Sequence, residues 1–127
     1  MSKIHCRKLL INMITLKDVV DKLALEVKAG KTTLTKQVKG GYASDLLSDV
    51  MANSEPGSIW VTLQLHMNIV AVATLKELAG IILVNGREPD KETIEKAEEE
   101  GIFIASSSLP AFELIGRMYE MGIAGVP

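Results

Sequence analysis

A chain of 127 residues, 47% hydrophobic and 24% charged, is long enough to bury one core and too apolar to stay disordered. Its formal net charge of -2 offers no basic face of the kind that nucleic-acid binders use. One cysteine, Cys6, excludes an internal disulfide and a multi-cysteine metal site, and no run reaches the ~18 apolar residues of a membrane span. The composition therefore predicts a single cytoplasmic domain, with no cofactor, metal, nucleic acid or membrane implied.

In chain order, Lys3, Arg7 and Lys8 before Leu9-Leu10-Ile11 imitate a signal peptide. Asn12 ends an apolar stretch far shorter than the ~7–15 residues such signals need. Residues 1–12 read as an extension, Met13 as the functional start, and 13–127 as the domain. Cys6 reads as a free thiol, because His5 beside it cannot easily point at the same ion.

Thr15-Leu16-Lys17-Asp18 is a capping box with a short acid, opening a helix whose inner face carries Leu16, Val19, Val20 and Leu23. That helix ends near Leu25, and Glu26 to Ala29 form a short strand. Ala29-Gly30-Lys31-Thr32 ends like a phosphate-binding P-loop. The motif also requires a glycine where Leu25 stands and a buried strand leading in, so Gly30 reads as a terminator. Gln37 to Tyr42 is extended and broken by Gly40-Gly41. Ser44 or Asp45 caps a helix that points Leu46, Leu47, Val50 and Met51 inward, and Ser54 to Gly57 form a turn.

After residue 58 one unit occurs three times: a short apolar run, a polar cluster, then a helical stretch. The runs are Ile59 to Leu63, Ile81 to Val84 and Ile102 to Ala105. Continuous apolarity predicts parallel strands buried between helices, and ligands in such sheets settle beyond the strands' carboxyl ends. Met67 to Ala79 predicts a helix so poor in charge that a homodimer or higher oligomer would form through it. Asp90 to Glu100 predicts a solvated helix with Ile94 and Ala97 inward and a Glu92–Lys96 pair. The last helix starts at Ser107 or Ser108, with Pro110 in its first turn. Phe112, Ile115, Met118 and Tyr119 point inward, and Glu113–Arg117 lies outside.

The three strand ends hold the candidate site. Gln64 and His66 leave the first strand on one face, before a helix N-terminus that attracts anions; His66 as an exposed loop residue is the alternative. Asn85 and Gly86 permit positive φ, and Arg87 adds a fork for phosphate or carboxylate, unless Glu88 or Asp90 occupies it. Ser106, Ser107 and Ser108 exceed what capping requires, so Ser106 and Ser107 join the site, with Tyr42 at its rim. Asp45 can approach the same crevice, although an N-cap explains it more cheaply. No nucleophile elbow surrounds the serines.

The segments Ile14 to Lys31, Val38 to Met51, Leu78 to Asp90 and Gly101 to Leu114 together resemble the DRTGG domain and the related N-terminal domain of HPr kinase/phosphorylase. That resemblance implies a compact α/β domain that is regulatory or ligand-sensing rather than catalytic. Gln64-Leu65-His66 stands where the family's Asp-Arg-Thr would, and Asn85-Gly86 where its paired glycines would. A ligand tied to that signature does not carry over, and the P-loop kinase half is absent.

The sequence thus predicts a single α/β domain whose mostly parallel buried sheet is flanked by helices. Its predicted role is a non-enzymatic module binding a small anionic metabolite or nucleotide through Gln64, His66, Asn85, Gly86, Arg87, Ser106, Ser107 and Tyr42. A scaffold without a small ligand is the alternative, and an enzyme using His66 with Ser106 or Ser107 ranks last.

Overall fold

The computed structural model describes residues 13–125. The expected extension over residues 1–12, and the Cys6 thiol with it, lie outside the described residues. Five strands make one sheet: β1 (Glu26–Ala29), β2 (Gly40–Ala43), β3 (Ser58–Thr62), β4 (Gly80–Leu83) and β5 (Ile104–Ser106). Their order is β1-β5-β4-β3-β2, with β2 to β5 parallel and β1 antiparallel on β5. Every residue of β3 and β4 is buried, which explains why their sequences do not alternate.

Helices cover both faces: α1 (Leu16–Leu23), α2 (Leu47–Asn53), α3 (Asn68–Leu75), α4 (Lys91–Glu100) and α5 (Ala111–Glu120). Leu16, Val19 and Leu23 of α1 and Leu114 and Met118 of α5 pack with Ile59, Val61, Ile82 and Phe103 on one face. Val50, Ile69, Val70, Ala73 and Ala97 from α2, α3 and α4 pack with Trp60, Ile81, Leu83 and Ile104 on the other. The three crossovers joining β2 to β5 thus all return on one face, each advancing by one strand. Such a march creates no point where neighbouring crossovers diverge to opposite faces, the arrangement that opens a deep crevice in doubly wound sheets.

Local chemistry sets the element ends. In the capping box the Thr15 N–H donates to Asp18 Oδ2 at 2.9 Å and the Asp18 N–H to Thr15 Oγ1 at 3.3 Å. The helix stops at Leu23, two residues before the predicted end, because Ala24 turns left-handed at φ 51°. Gly30 is the terminator it was read as, with φ 75° and its N–H donating to Glu98 Oε1 at 2.8 Å. A Cβ there would lie 2.6 Å from the Ile102 carbonyl oxygen. Lys31–Thr33 continue as a single 3-10 turn, at the end of the sheet opposite the carboxyl ends of β2 to β5.

Four expectations about the helices are corrected. In α2 only Val50 is buried, while Leu46 and Met51 are exposed; Leu46 sits at the cap, ahead of a helix too short to bury four positions. In α5 the core takes Leu114 and Met118, leaving Phe112 at 92% and Tyr119 at 68% exposure and Ile115 partly exposed. This helix carries two apolar stripes, and the sheet accommodates one. Its first residue is Ala111, with Pro110 as cap, so neither Ser107 nor Ser108 begins it. Along α4, Lys96 pairs with Glu100 at 3.4 Å rather than with Glu92.

The stretch predicted as an interfacial helix is α3, and the domain itself covers Ile69, Val70, Val72 and Ala73. Among the described residues, no helix is long and apolar enough to cross a membrane. No cluster of three or more His, Cys, Asp or Glu side chains among them could hold a metal.

Candidate functional site

Because β3, β4 and β5 run parallel and adjacent, the polar clusters that follow them meet at one end of the sheet. Ser106 Oγ donates to the Arg87 carbonyl at 2.7 Å, and the Gly86 N–H donates to the Ser107 carbonyl at 2.7 Å. The Arg87 guanidinium donates through Nη1 to the Leu63 carbonyl at 3.0 Å. Thr93 Oγ1 donates to the Leu65 carbonyl at 2.7 Å, tying the end of β3 to α4. The predicted convergence of residues 64–66, 85–87 and 106–107 is therefore present.

Their roles differ from those expected. Ser106 and Ser107 are buried and committed: the Ser107 hydroxyl accepts the Leu109 N–H at 3.1 Å. The backbone donors predicted to cradle oxygens are also spent. The Asn85 N–H reaches the Leu109 carbonyl, Arg87 N–H the Val84 carbonyl and Ser107 N–H the Leu83 carbonyl. Asn85 and Gly86 adopt the left-handed turn predicted for them, at φ 59° and 65°. These residues brace the rim, and a short polar loop buries its own donors before offering them to a ligand.

His66 is exposed, and its Nδ1 accepts the Asn68 N–H at 3.2 Å. That bond needs the Nδ1 lone pair, leaving the ring hydrogen on Nε2, and it occupies one of the free amides at the start of α3. His66 makes no bond to Ser106 or Ser107, so the geometry of an acid/base pair is missing. Gln64 donates through Nε2 to the Asp45 carbonyl at 2.9 Å.

Tyr42 stands apart from this group. Its hydroxyl donates to Asp49 Oδ2 at 2.9 Å, and its ring packs on the α2–α3–α4 side. The bond to Asp49, with burial second, raises the Tyr42 pKa above its ordinary value. Asp49 is held below its ordinary 3.8, first by Asn53 and then by Ser44 and Tyr42. A carboxyl lowered in the folded state releases its proton more readily there than in the unfolded chain. Its stabilisation is thus present above pH 3.8 and is lost as pH falls below it. Urea midpoints should fall through that window in the native chain and respond less in Asp49→Asn; equal acid sensitivity would contradict this.

Arg87 is exposed and makes no ion pair among the described residues. Glu88, which with Asp90 was the alternative occupant of its fork, is bound instead by Lys28 of β1 at 2.6 Å, and Lys28 also holds Glu26 at 2.6 Å. First Glu26 and then Glu88 raise the Lys28 pKa.

Asp45, expected either to approach this crevice or, more cheaply, to serve as an N-cap, lies just past the end of β2. Asp45 does not cap α2. Its Oδ1 accepts the Leu63 N–H at 2.7 Å and the Thr62 hydroxyl at 2.9 Å, across the strand ends. Trp60 Nε1 donates to the Ser44 carbonyl at 2.8 Å and fixes that loop. A cleft of about 210 Å³ lies here, lined by Ser44, Asp45, Thr62, Leu63, Val84 and Ala111 among others. The signal available was that Asp45 stands two residues past the end of a strand that runs parallel to β3.

A larger hollow, about 760 Å³, lies between α1 and α5 and is lined by Asp18, Asp21, Arg117, Glu120 and others. Ile14 forms part of its wall. The strand-end cleft is the smaller of the two and lies where the ends of β2 and β3 meet.

No protein-family profile matches the chain, and no curated protein matches it. Among solved structures it is similar to the crystal structure of the CBS and DRTGG domains of the regulatory region of Clostridium perfringens pyrophosphatase, complexed with its activator diadenosine tetraphosphate. The TM-score is 0.68 at 17% identity, covering 89% of this chain and 49% of that one. The shared feature is a DRTGG-like fold. The chain spans about half the length of that relative, and the likeness is one of architecture.

Proposed function

We propose that this chain is a non-enzymatic, cytoplasmic regulatory module that senses a small anionic metabolite or nucleotide at the carboxyl ends of its strands. One observation carries the reading: Arg87 presents an unpaired guanidinium at the rim while its neighbour Glu88 is drawn away by Lys28. A fork steadied by one backbone carbonyl keeps its remaining donors for phosphate or carboxylate. In this reading Gln64 and His66, from the loop after β3, would complete the site, and Asn85, Gly86, Ser106 and Ser107 hold the loop that carries Arg87. The structurally similar pyrophosphatase region is a regulatory one in complex with a nucleotide, which supports the same class of role here. Kinship with the N-terminal domain of HPr kinase/phosphorylase belongs to this proposal.

Thermal-shift screening against nucleotides and phosphorylated metabolites tests it. A ligand should raise the melting temperature, and Arg87→Ala, which sacrifices one exposed bond to a carbonyl, should abolish the rise. A rise that survives Arg87→Ala contradicts the reading.

A second reading, self-association, is favoured by the outward stripe of Phe112, Ile115 and Tyr119 on α5 rather than by α3, whose apolar face the domain covers. Sedimentation velocity should then show a dimer that Phe112→Ser with Tyr119→Ser converts to monomer. A native chain that sediments as a monomer removes this reading.

A further inference from the structure

The strand-end cleft contains a carboxylate that binding an anion does not require. Asp45 receives two donors on a single oxygen, the Thr62 hydroxyl and the Leu63 N–H, and this fixes the carboxylate's position. Its second oxygen has no hydrogen-bond partner among the described residues. Val61, Val84 and Ala111 form an aliphatic wall in the same cleft. A pinned carboxylate repels phosphate, yet it accepts hydrogen bonds from sugar hydroxyls while an aliphatic wall takes the C–H face of the ring.

The volume agrees with this division. About 210 Å³ is below the ~300–1,000 Å³ of pockets that enclose a drug-sized ligand, so the cleft takes one moiety and leaves the rest outside. Leu63 connects the two charges: its N–H bonds Asp45, and its carbonyl bonds Arg87. Arg87 is not among the residues lining the cleft, so a ligand whose hydroxyls meet Asp45 carries its negative charge outside it, on the far side of Leu63.

We infer that the ligand is a phosphorylated ribose, free or within a nucleotide, whose 2′- and 3′-hydroxyls bond Asp45 while its phosphate lies against Arg87. Carboxylate recognition of ribose hydroxyls beside a separate phosphate site is a general solution in α/β nucleotide binders. This inference rests on the sensor reading above and adds to it the residue that selects the sugar.

Calorimetric titration with ATP, 2′,3′-dideoxy-ATP, ribose 5-phosphate and tripolyphosphate tests it on the native chain and on Asp45→Asn. Asparagine keeps the acceptor for Thr62 and Leu63 and loses the charge. Removing hydroxyl bonds to a charged acceptor should weaken binding about tenfold or more, so native protein should prefer ATP to the dideoxy analogue by that factor. The preference should shrink in Asp45→Asn, and tripolyphosphate should bind more weakly than ATP. Ribose 5-phosphate binding as tightly as ATP supports the inference and names the sugar phosphate as sufficient. Equal affinity for ATP and its dideoxy analogue, or an undiminished preference in Asp45→Asn, overturns the inference and leaves the sensor reading standing. No binding of any of the four overturns the inference, and the sensor reading then stands or falls by the thermal-shift screen and Arg87→Ala.

Discussion

Trp60→Ala should cost about 3–5 kcal/mol, a large part of the ~5–15 kcal/mol that holds a domain of this size together. Trp60 is wholly buried in the middle of β3, against Ile69, Val70 and Ile81 from α3 and β4. Alanine leaves a cavity that two helices and a five-stranded sheet cannot close. The indole has a further task, since its N–H fixes the Ser44 carbonyl and with it the loop that carries Asp45. Trp60→Phe keeps most of the packing and orphans that carbonyl, a loss of about 1–3 kcal/mol. It should also loosen the strand-end cleft, so ligand affinity falls even in protein that remains folded. Urea unfolding followed by far-ultraviolet circular dichroism is the measurement, because no other tryptophan exists to report by fluorescence. Both variants lying within about 1 kcal/mol of the native chain would contradict this account of the core.

Gly80→Val should unfold the domain or come close to it. A Cβ at Gly80 would stand 2.6 Å from Phe103 Cδ2, 3.0 Å from Phe103 Cβ and 3.1 Å from the Phe103 carbonyl oxygen. Gly80 begins β4 between β3 and β5, and Phe103 is fully buried, so neither side has room to move. The usual ~1–3 kcal/mol of overpacking is a lower bound where backbone atoms form part of the obstacle. A double-mutant cycle separates this clash from a general dislike of side chains at that site. The penalty for Gly80→Ala should shrink when Phe103 is also replaced by leucine, and independent effects would refute the stated cause.

The three strands β3, β4 and β5 could be read from sequence because burial on both faces leaves an uninterrupted apolar run. β2 was harder, since Gly40 and Gly41 carry no side chain to show which face they cover. The antiparallel placement of β1 depends on pairing with β5 far along the chain, which no local pattern encodes. Convergence of the polar clusters followed from parallel strands alone, but their use did not. Whether a serine hydroxyl or a backbone N–H reaches a ligand depends on what lies within 3 Å, and here the loops after β4 and β5 satisfy one another. Asp45 was discounted because a carboxylate before a helix looks the same in sequence whether it caps that helix or bridges to the next strand. The outward stripe on α5 has the same origin: two apolar faces on one helix satisfy periodicity equally well.

The most direct test of the account is a two-dimensional amide spectrum of the native chain titrated with ATP. Shifts should concentrate at Ser44 and Asp45, at Leu63 to His66, and at Arg87, where the ends of β2, β3 and β4 meet. Shifts confined to Asp18, Asp21, Arg117 and Glu120 would move the site to the hollow between α1 and α5, and an unchanged spectrum would leave the strand ends without a ligand; either result contradicts the account.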